Sequence, residues 1–159
     1  MKSLKPILFL LITVTNVHSF ASEKDKSFQE QSMLSVLYVQ TSTEFAANNI
    51  QTFNNASKAL DIALKDNTWN AALEQKGNFA SKIPAIIVDV DETVLYNSSF
   101  QSRTILSGLS YPNGWAKWVN ESKATAVEGV YEFLHYANDN NVKIFYVTNR
   151  LEIFREPTI

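Results

Sequence analysis

At 159 residues, with 45% apolar and 19% charged side chains, the chain is long enough for one folded core and too hydrophobic for a disordered tail. A formal charge of −2 supplies no basic field for a nucleic-acid polymer, and four Gly and four Pro exclude collagen-like or linker character. With no cysteine, a disulfide framework, a thiolate metal site and a cysteine nucleophile are excluded, and no lipid anchor on an N-terminal cysteine is expected.

Residues 1–21 read as a signal peptide. Lys2 and Lys5 form a positive start, Ile7 to Val14 is a short apolar run, and Ser19-Phe20-Ala21 places small residues at the −3 and −1 positions of a cleavage site. The apolar run is too short for a transmembrane helix, which needs roughly 20 residues. Removing the segment takes away two lysines and no acid, leaving 12 basic and 16 acidic side chains. Export follows as an expectation: a periplasmic or secreted protein, or one associated with the outer membrane.

Residues 27–75 are expected to form a helical lead-in. Ser27-Phe28-Gln29-Glu30 has capping-box spacing, and Met33, Leu34, Leu37, Tyr38, Thr41 and Phe45 follow with helical periodicity. A second helix is predicted from about Asn55 to Leu64, with Ala59, Leu60, Ala63 and Leu64 on one face, and a short third from Trp69 to Glu74. The pattern changes at Pro84. Ala85-Ile86-Ile87-Val88 is short, apolar and β-branched, and reads as a strand buried on both faces. A stretch rich in Asn, Ser, Gly and Trp runs from Tyr96 to Lys123. Thr125-Ala126-Val127-Glu128 again has capping-box spacing, before a stripe of Val127, Val130, Tyr131, Leu134 and Ala137 that ends at Asp139-Asn140-Asn141. Val142 to Val147 is a second strand, so a parallel βαβ unit is expected. Glu156-Pro157-Thr158-Ile159 opens another helix, with Pro in its first turn. Two parallel strands do not bury both faces of a doubly wound sheet, so residues 22–159 are expected to be the N-terminal part of a single larger α/β domain.

The chemistry lies at the strand ends. Asp89-Val90-Asp91-Glu92-Thr93 follows the first strand directly, where ligands bind in open α/β sheets. Three acids within four residues repel one another, and a hard divalent cation such as Mg²⁺ would relieve that repulsion. Asp89, nearest the strand, suits a nucleophile that attacks phosphorus. Asp91 suits a proton donor to the leaving oxygen and later a base for water. Thr148, directly after the second strand, and the backbone N–H of Asn149 suit phosphate oxygens.

At these residues the chain resembles a known family. Asp89-Val90-Asp91-Glu92-Thr93-Val94-Leu95 is similar to the first motif of the haloacid-dehalogenase superfamily. Further segments resemble the bacterial class C acid phosphatases, the outer-membrane lipoprotein nucleotidase type. These are Tyr38 to Phe45, Asn97 to Gln101, Ser110 to Val119, and Phe145-Tyr146-Val147-Thr148-Asn149-Arg150. The resemblance implies a Rossmann-like parallel sheet with a small helical cap, incomplete in this chain, and a Mg²⁺-dependent acid phosphatase or 5'-nucleotidase. Its substrate would be a small phosphomonoester such as a nucleoside monophosphate. The resemblance also implies Asp89 as nucleophile and metal ligand. Asp91 becomes acid/base with its backbone carbonyl on the metal, and Thr148 binds phosphate. The chain departs from the family at Tyr96, usually Asp, and in lacking the lipidated cysteine. The family's third-motif lysine and fourth-motif aspartates would lie beyond Ile159, so the site within these residues is expected to be incomplete.

Other residues have two readings. Tyr111, Trp115 and Trp118 either stack on a nucleobase or belong to the core of the cap. Arg150 either helps hold an anion or forms a structural ion pair. His135 lies off the apolar stripe and is expected at the surface; Lys143 is expected at an edge. A phosphotransferase acting on an alcohol acceptor, and a non-catalytic phosphate- or metal-binding protein, are the competing functions.

Overall fold

A computed structural model describes residues 30–72 and 74–159. The signal-peptide segment 1–21 and most of the Ser27–Glu30 capping box lie outside the described residues. No helix among the described residues is long and apolar enough to cross a membrane.

The lead-in is two helices, α1 Met33–Thr41 and α2 Thr43–Ala63. The expected break between Phe45 and Asn55 lies instead at Ser42. Its extended backbone (ψ 117°) interrupts the helix, and its hydroxyl accepts the Phe45 N–H at 3.2 Å. Such a cap contributes about 1 kcal/mol, enough to restart the helix in a new direction. The predicted stripe on α1 is corrected too: Leu34 and Leu37 are exposed and Val36 is buried. On α2 the inward face is Phe53, Ala56, Leu60 and Leu64, while Ala59 is exposed.

Among the described residues of the predicted Trp69–Glu74 helix, none is helical. Asp66 accepts both the backbone N–H and the hydroxyl of Thr68, at 2.8 and 2.6 Å, and Asn70 accepts the Ala72 N–H at 2.9 Å. These local turns compete with helical hydrogen bonding.

Strands β1 Ala85–Asp89 and β2 Lys143–Val147 pair in parallel, with Ile86 opposite Ile144 and Asp89 opposite Val147. Between them run α3 Ser98–Ser107, α4 Trp115–Asn120 and α5 Val130–Asp139. A 3₁₀ turn, Glu152–Phe154, and a last short helix, α6 Arg155–Thr158, follow. The expectation of burial on both faces is corrected. Ile86 packs into a cluster of Leu60 from α2, Phe133 and Ala137 from α5, and Val142 just before β2. The opposite face carries Ile87, Phe145 and Val147, all more than half exposed, because no described helix lies over it.

The Thr125–Glu128 capping box is also corrected. Thr125 O accepts the Tyr96 N–H at 2.8 Å and Val127 N–H donates to Val94 O at 3.0 Å, so this segment is extended alongside residues 94–96. Helix α5 starts two residues after Glu128, at Val130, with Gly129 as its N-cap at φ +83°. A Cβ at Gly129 would sit 3.1 Å from the Ile50 Cα and 3.3 Å from the Phe53 Cβ, so glycine lets α2 and α5 approach. On α5 Phe133 is buried and the predicted Tyr131 is exposed. The Tyr136 hydroxyl donates to Asp61, tying α5 to α2 a second time.

Candidate active site

Parallel pairing brings the ends of β1 and β2 together, so Asp91 meets Thr148 and Arg150 beside the end of β1 at Asp89. Asp89 is exposed at the end of β1, and no side chain among the described residues hydrogen-bonds its carboxylate. Val147 is its register partner, which sets Thr148 one residue further along. Asn149 is exposed and Thr148 is exposed beside the site.

Asp91 is the centre of a network. Arg150 reaches its Oδ1 with Nη2 at 2.7 Å and Nε at 3.1 Å, and its Oδ2 with Nε at 3.2 Å. The Asn97 amide nitrogen donates to Oδ1 at 2.8 Å, and the Thr148 hydroxyl lies 3.5 Å from Oδ2. The Arg150 side chain is only 4% exposed, so the structural ion pair anticipated for it is what forms, with Asp91. Its Nη1 donates to the Thr158 hydroxyl at 3.0 Å, and its guanidinium carbon lies 5.3 Å from the centre of the Trp115 ring. Planar, forked guanidinium suits several partners at once in a way that a lysine would not.

Glu92 does not join the other two acids. At φ +58° its backbone turns the carboxylate back to accept the Asn97 N–H at 2.9 Å. That backbone conformation costs about 1–2 kcal/mol in a residue with a Cβ, which the hydrogen bond offsets in part. Repulsion among the three acids is therefore relieved by Arg150 and by this turn, not solely by a cation as the spacing suggested. Among the described residues no three carboxylate or histidine groups converge on one point. The donor set still suits Mg²⁺, which takes one or two protein oxygens and fills the rest of its shell with water and phosphate. Among the described residues the Asp89 carboxylate has no competing partner, and the Asp91 main-chain carbonyl receives no hydrogen bond.

Trp118, on α4, is 3% exposed and donates its indole N–H to Asn97 Oδ1 at 2.8 Å. It packs with Phe100, Val119 and Phe154, so the core reading applies to it and stacking on a base does not. Trp115 has Phe100 and Tyr111 against it, with ring centres 5.1 and 5.9 Å away, and Tyr111 is exposed. His135 is exposed on α5 against Tyr131, as expected of it. The cavity lined by Ser32, Ser35, Val36, Gln101, Thr104 and Ile105 lies between α1 and α3 and contains none of the site residues.

The reading of residue types missed Asn97. Its signal was faint: one amide six residues after Asp91, of a residue type usually found at the surface, with nothing in the sequence to reveal the indole that fixes it. It also missed the role of Tyr96. The Tyr96 hydroxyl donates to Glu128 at 2.5 Å and accepts from Asn49 at 2.7 Å. Burial, then the Glu128 carboxylate, push the Tyr96 hydroxyl well above its ordinary range. Burial alone would raise Glu128, but the Tyr96 hydroxyl, its own N–H and Asn49 outweigh it and hold the carboxyl below the usual range.

A family model described as the HAD superfamily, subfamily IIIB (acid phosphatase), matches residues 12–159. The class C acid phosphatase from Bacillus anthracis is similar in structure, at 34% identity and a TM-score of 0.72. A second structure of the class C acid phosphatase from that organism, with tungstate bound, is similar at 33% identity and a TM-score of 0.70. Each match covers 82% of this chain and 50% of the other, so the chain spans half the length of the solved structures it matches.

Proposed function

Since the chain belongs to the HAD superfamily, subfamily IIIB acid phosphatases, we propose that its protein hydrolyses small phosphomonoesters, nucleoside monophosphates among them, through a phosphorylated Asp89. One observation carries the reading: Asp89 and Asp91 leave the same strand end, the first with a carboxylate that has no partner among the described residues and the second with one that is firmly held. A nucleophile must be free to bond and a proton carrier must be oriented.

In this mechanism an Asp89 oxygen attacks phosphorus while the bond from phosphorus to the leaving oxygen breaks. Asp91, in its acid form, gives a proton to that oxygen, and the alcohol departs. Water then attacks phosphorus, its proton passing to the Asp91 carboxylate. Inorganic phosphate leaves and the Asp89 carboxylate is restored. The Thr148 hydroxyl and the Asn149 N–H hold phosphate oxygens. The Asp89 carboxylate and the Asp91 carbonyl would hold Mg²⁺, which when bound would supply positive charge against the repulsion between carboxylate and phosphate. Tetrahedral tungstate bound to the similar Bacillus anthracis enzyme is consistent with a phosphate-shaped site. The exposed Tyr111 ring, backed by Trp115, is the surface on which a base would stack.

The test is phosphate release by the full-length protein carrying Asp89→Asn, which keeps the side-chain shape and removes the nucleophilic oxygen anion. Activity is expected to fall by about 10³-fold or more, and chelation of divalent metal is expected to abolish wild-type turnover. Near-normal, metal-dependent turnover in Asp89→Asn would overturn the assignment.

A further inference from the structure

We infer that Asn97, locked by the Trp118 indole, is a positioning residue that fixes one oxygen of Asp91 and so presents the other, Oδ2, to the leaving group. The inference rests on the reading of Asp91 as proton carrier and specifies how that carboxylate is aimed.

Asn97 is 3% exposed, so its amide must find partners inside the protein. Two donor-only groups face its oxygen: the Trp118 indole N–H at 2.8 Å and Arg150 Nη2 at 3.5 Å. Two acceptors face its nitrogen: Asp91 Oδ1 at 2.8 Å and Glu92 Oε2 at 3.3 Å. Reversing the amide would set N–H against indole N–H and oxygen against two carboxylates, so its orientation is determined from both ends.

Arg150 already favours Oδ1, with Nη2 on that oxygen at 2.7 Å, while its Nε is shared, 3.1 Å from Oδ1 and 3.2 Å from Oδ2. Asn97 touches only Oδ1. With Arg150 Nη2 at 2.7 Å, it fills the two acceptor directions of that oxygen. Oδ2 keeps one moderate contact to Nε and a long one to the Thr148 hydroxyl at 3.5 Å. Oδ2 is thus the oxygen left for substrate. Trp118 adds rigidity, since its ring is packed by Phe100, Val119 and Phe154. The core of the 98–120 segment thereby sets the angle of a carboxylate on the neighbouring strand end.

The experiment compares kcat/KM, which reports formation of the phosphorylated enzyme, for two substrates in the full-length protein. Ethyl phosphate has a poor leaving group that needs the proton; 4-nitrophenyl phosphate has a good one that hardly does. Asn97→Leu is expected to lower kcat/KM on ethyl phosphate by about tenfold or more, and on 4-nitrophenyl phosphate by several-fold less. Trp118→Phe keeps a six-membered aromatic ring in the core but removes the five-membered ring with its N–H, and is expected to show a smaller loss with the same leaving-group bias. It decides the matter if Asn97→Leu does not fold. Equal losses on both substrates would mark a purely structural role and overturn the inference. Asp91→Asn separates the two levels. If it shows the bias and the other variants do not, only the positioning inference fails. If it shows none, or the wild type has no phosphatase activity, the reading of Asp91 fails and the inference falls with it.

Discussion

Tyr96 joins three segments that are far apart in the chain, through its hydroxyl on Glu128 and Asn49 and its N–H on Thr125. It stands between the Asp91 turn and Asn97, so this junction fixes the segment from which Asn97 reaches the site. Folding lowers the Glu128 pKa, so its interactions add stability above the ordinary value of 4.5 and lose it as pH falls through the folded value. Folding raises the Tyr96 pKa, so its share is present below the ordinary value of 10.0 and is lost as pH rises toward the folded one. Tyr96→Phe removes the donor to a partly buried carboxylate and is expected to cost about 1.5–3 kcal/mol at neutral pH. Urea unfolding of wild type and variant should show that gap at neutral pH and a narrowing gap as pH falls through the lowered folded pKa of Glu128. A gap that stayed constant on acidification would mean that Glu128 is not the partner that matters.

Helices α2 and α5 form the layer that carries the sheet, and their contact depends on a residue with no side chain. Gly129 combines φ +83° with a close approach to the α2 backbone at Ile50. Gly77 has a nearly equal φ of +82° and nothing within 4 Å of its would-be Cβ. The two alanine variants therefore separate backbone strain from packing. Gly77→Ala is expected to cost about 1 kcal/mol, and Gly129→Ala to cost that plus about 1–3 kcal/mol for the forced shift of α2. Denaturant midpoints at matched slope give the comparison, and equal losses would show that the α2–α5 contact has slack. Ser42 acts at the same scale, ending α1 and capping α2 within one residue.

At the scale of the molecule, the lead-in helices, the strand pair and the helices between the strands converge on one edge, where the ends of β1 and β2 hold Asp89, Asp91, Thr148 and Arg150. The face of the sheet opposite α2 and α5 stays apolar and open at Ile87, Phe145 and Val147. We propose that the protein is exported, on the strength of Lys2, Lys5, the Ile7–Val14 run and Ser19-Phe20-Ala21. N-terminal sequencing of protein from the cell envelope is expected to begin at Ser22. An intact Met1 on soluble cytoplasmic protein would refute export.

The sequence by itself determined the α/β class, both strands and their parallel pairing, and the placement of Asp89, Asp91 and Thr148 at strand ends. These are local or periodic properties: a short β-branched run bounded by Pro and Asp, and helical spacing between two such runs. Even the existence of α5 was legible, though its start was not, since Thr125–Glu128 carries a capping pattern that pairing with residues 94–96 overrides. Only the tertiary structure decided which oxygen of Asp91 is held, that Arg150 pairs with it, and that an indole 21 residues beyond Asn97 fixes the amide between them. Hydrogen-bond partners separated by tens of residues leave no periodicity to read. Their geometry exists only once packing has brought Trp118 of α4 to Asn97, and Asn97 and Arg150 to Asp91, each within 3 Å.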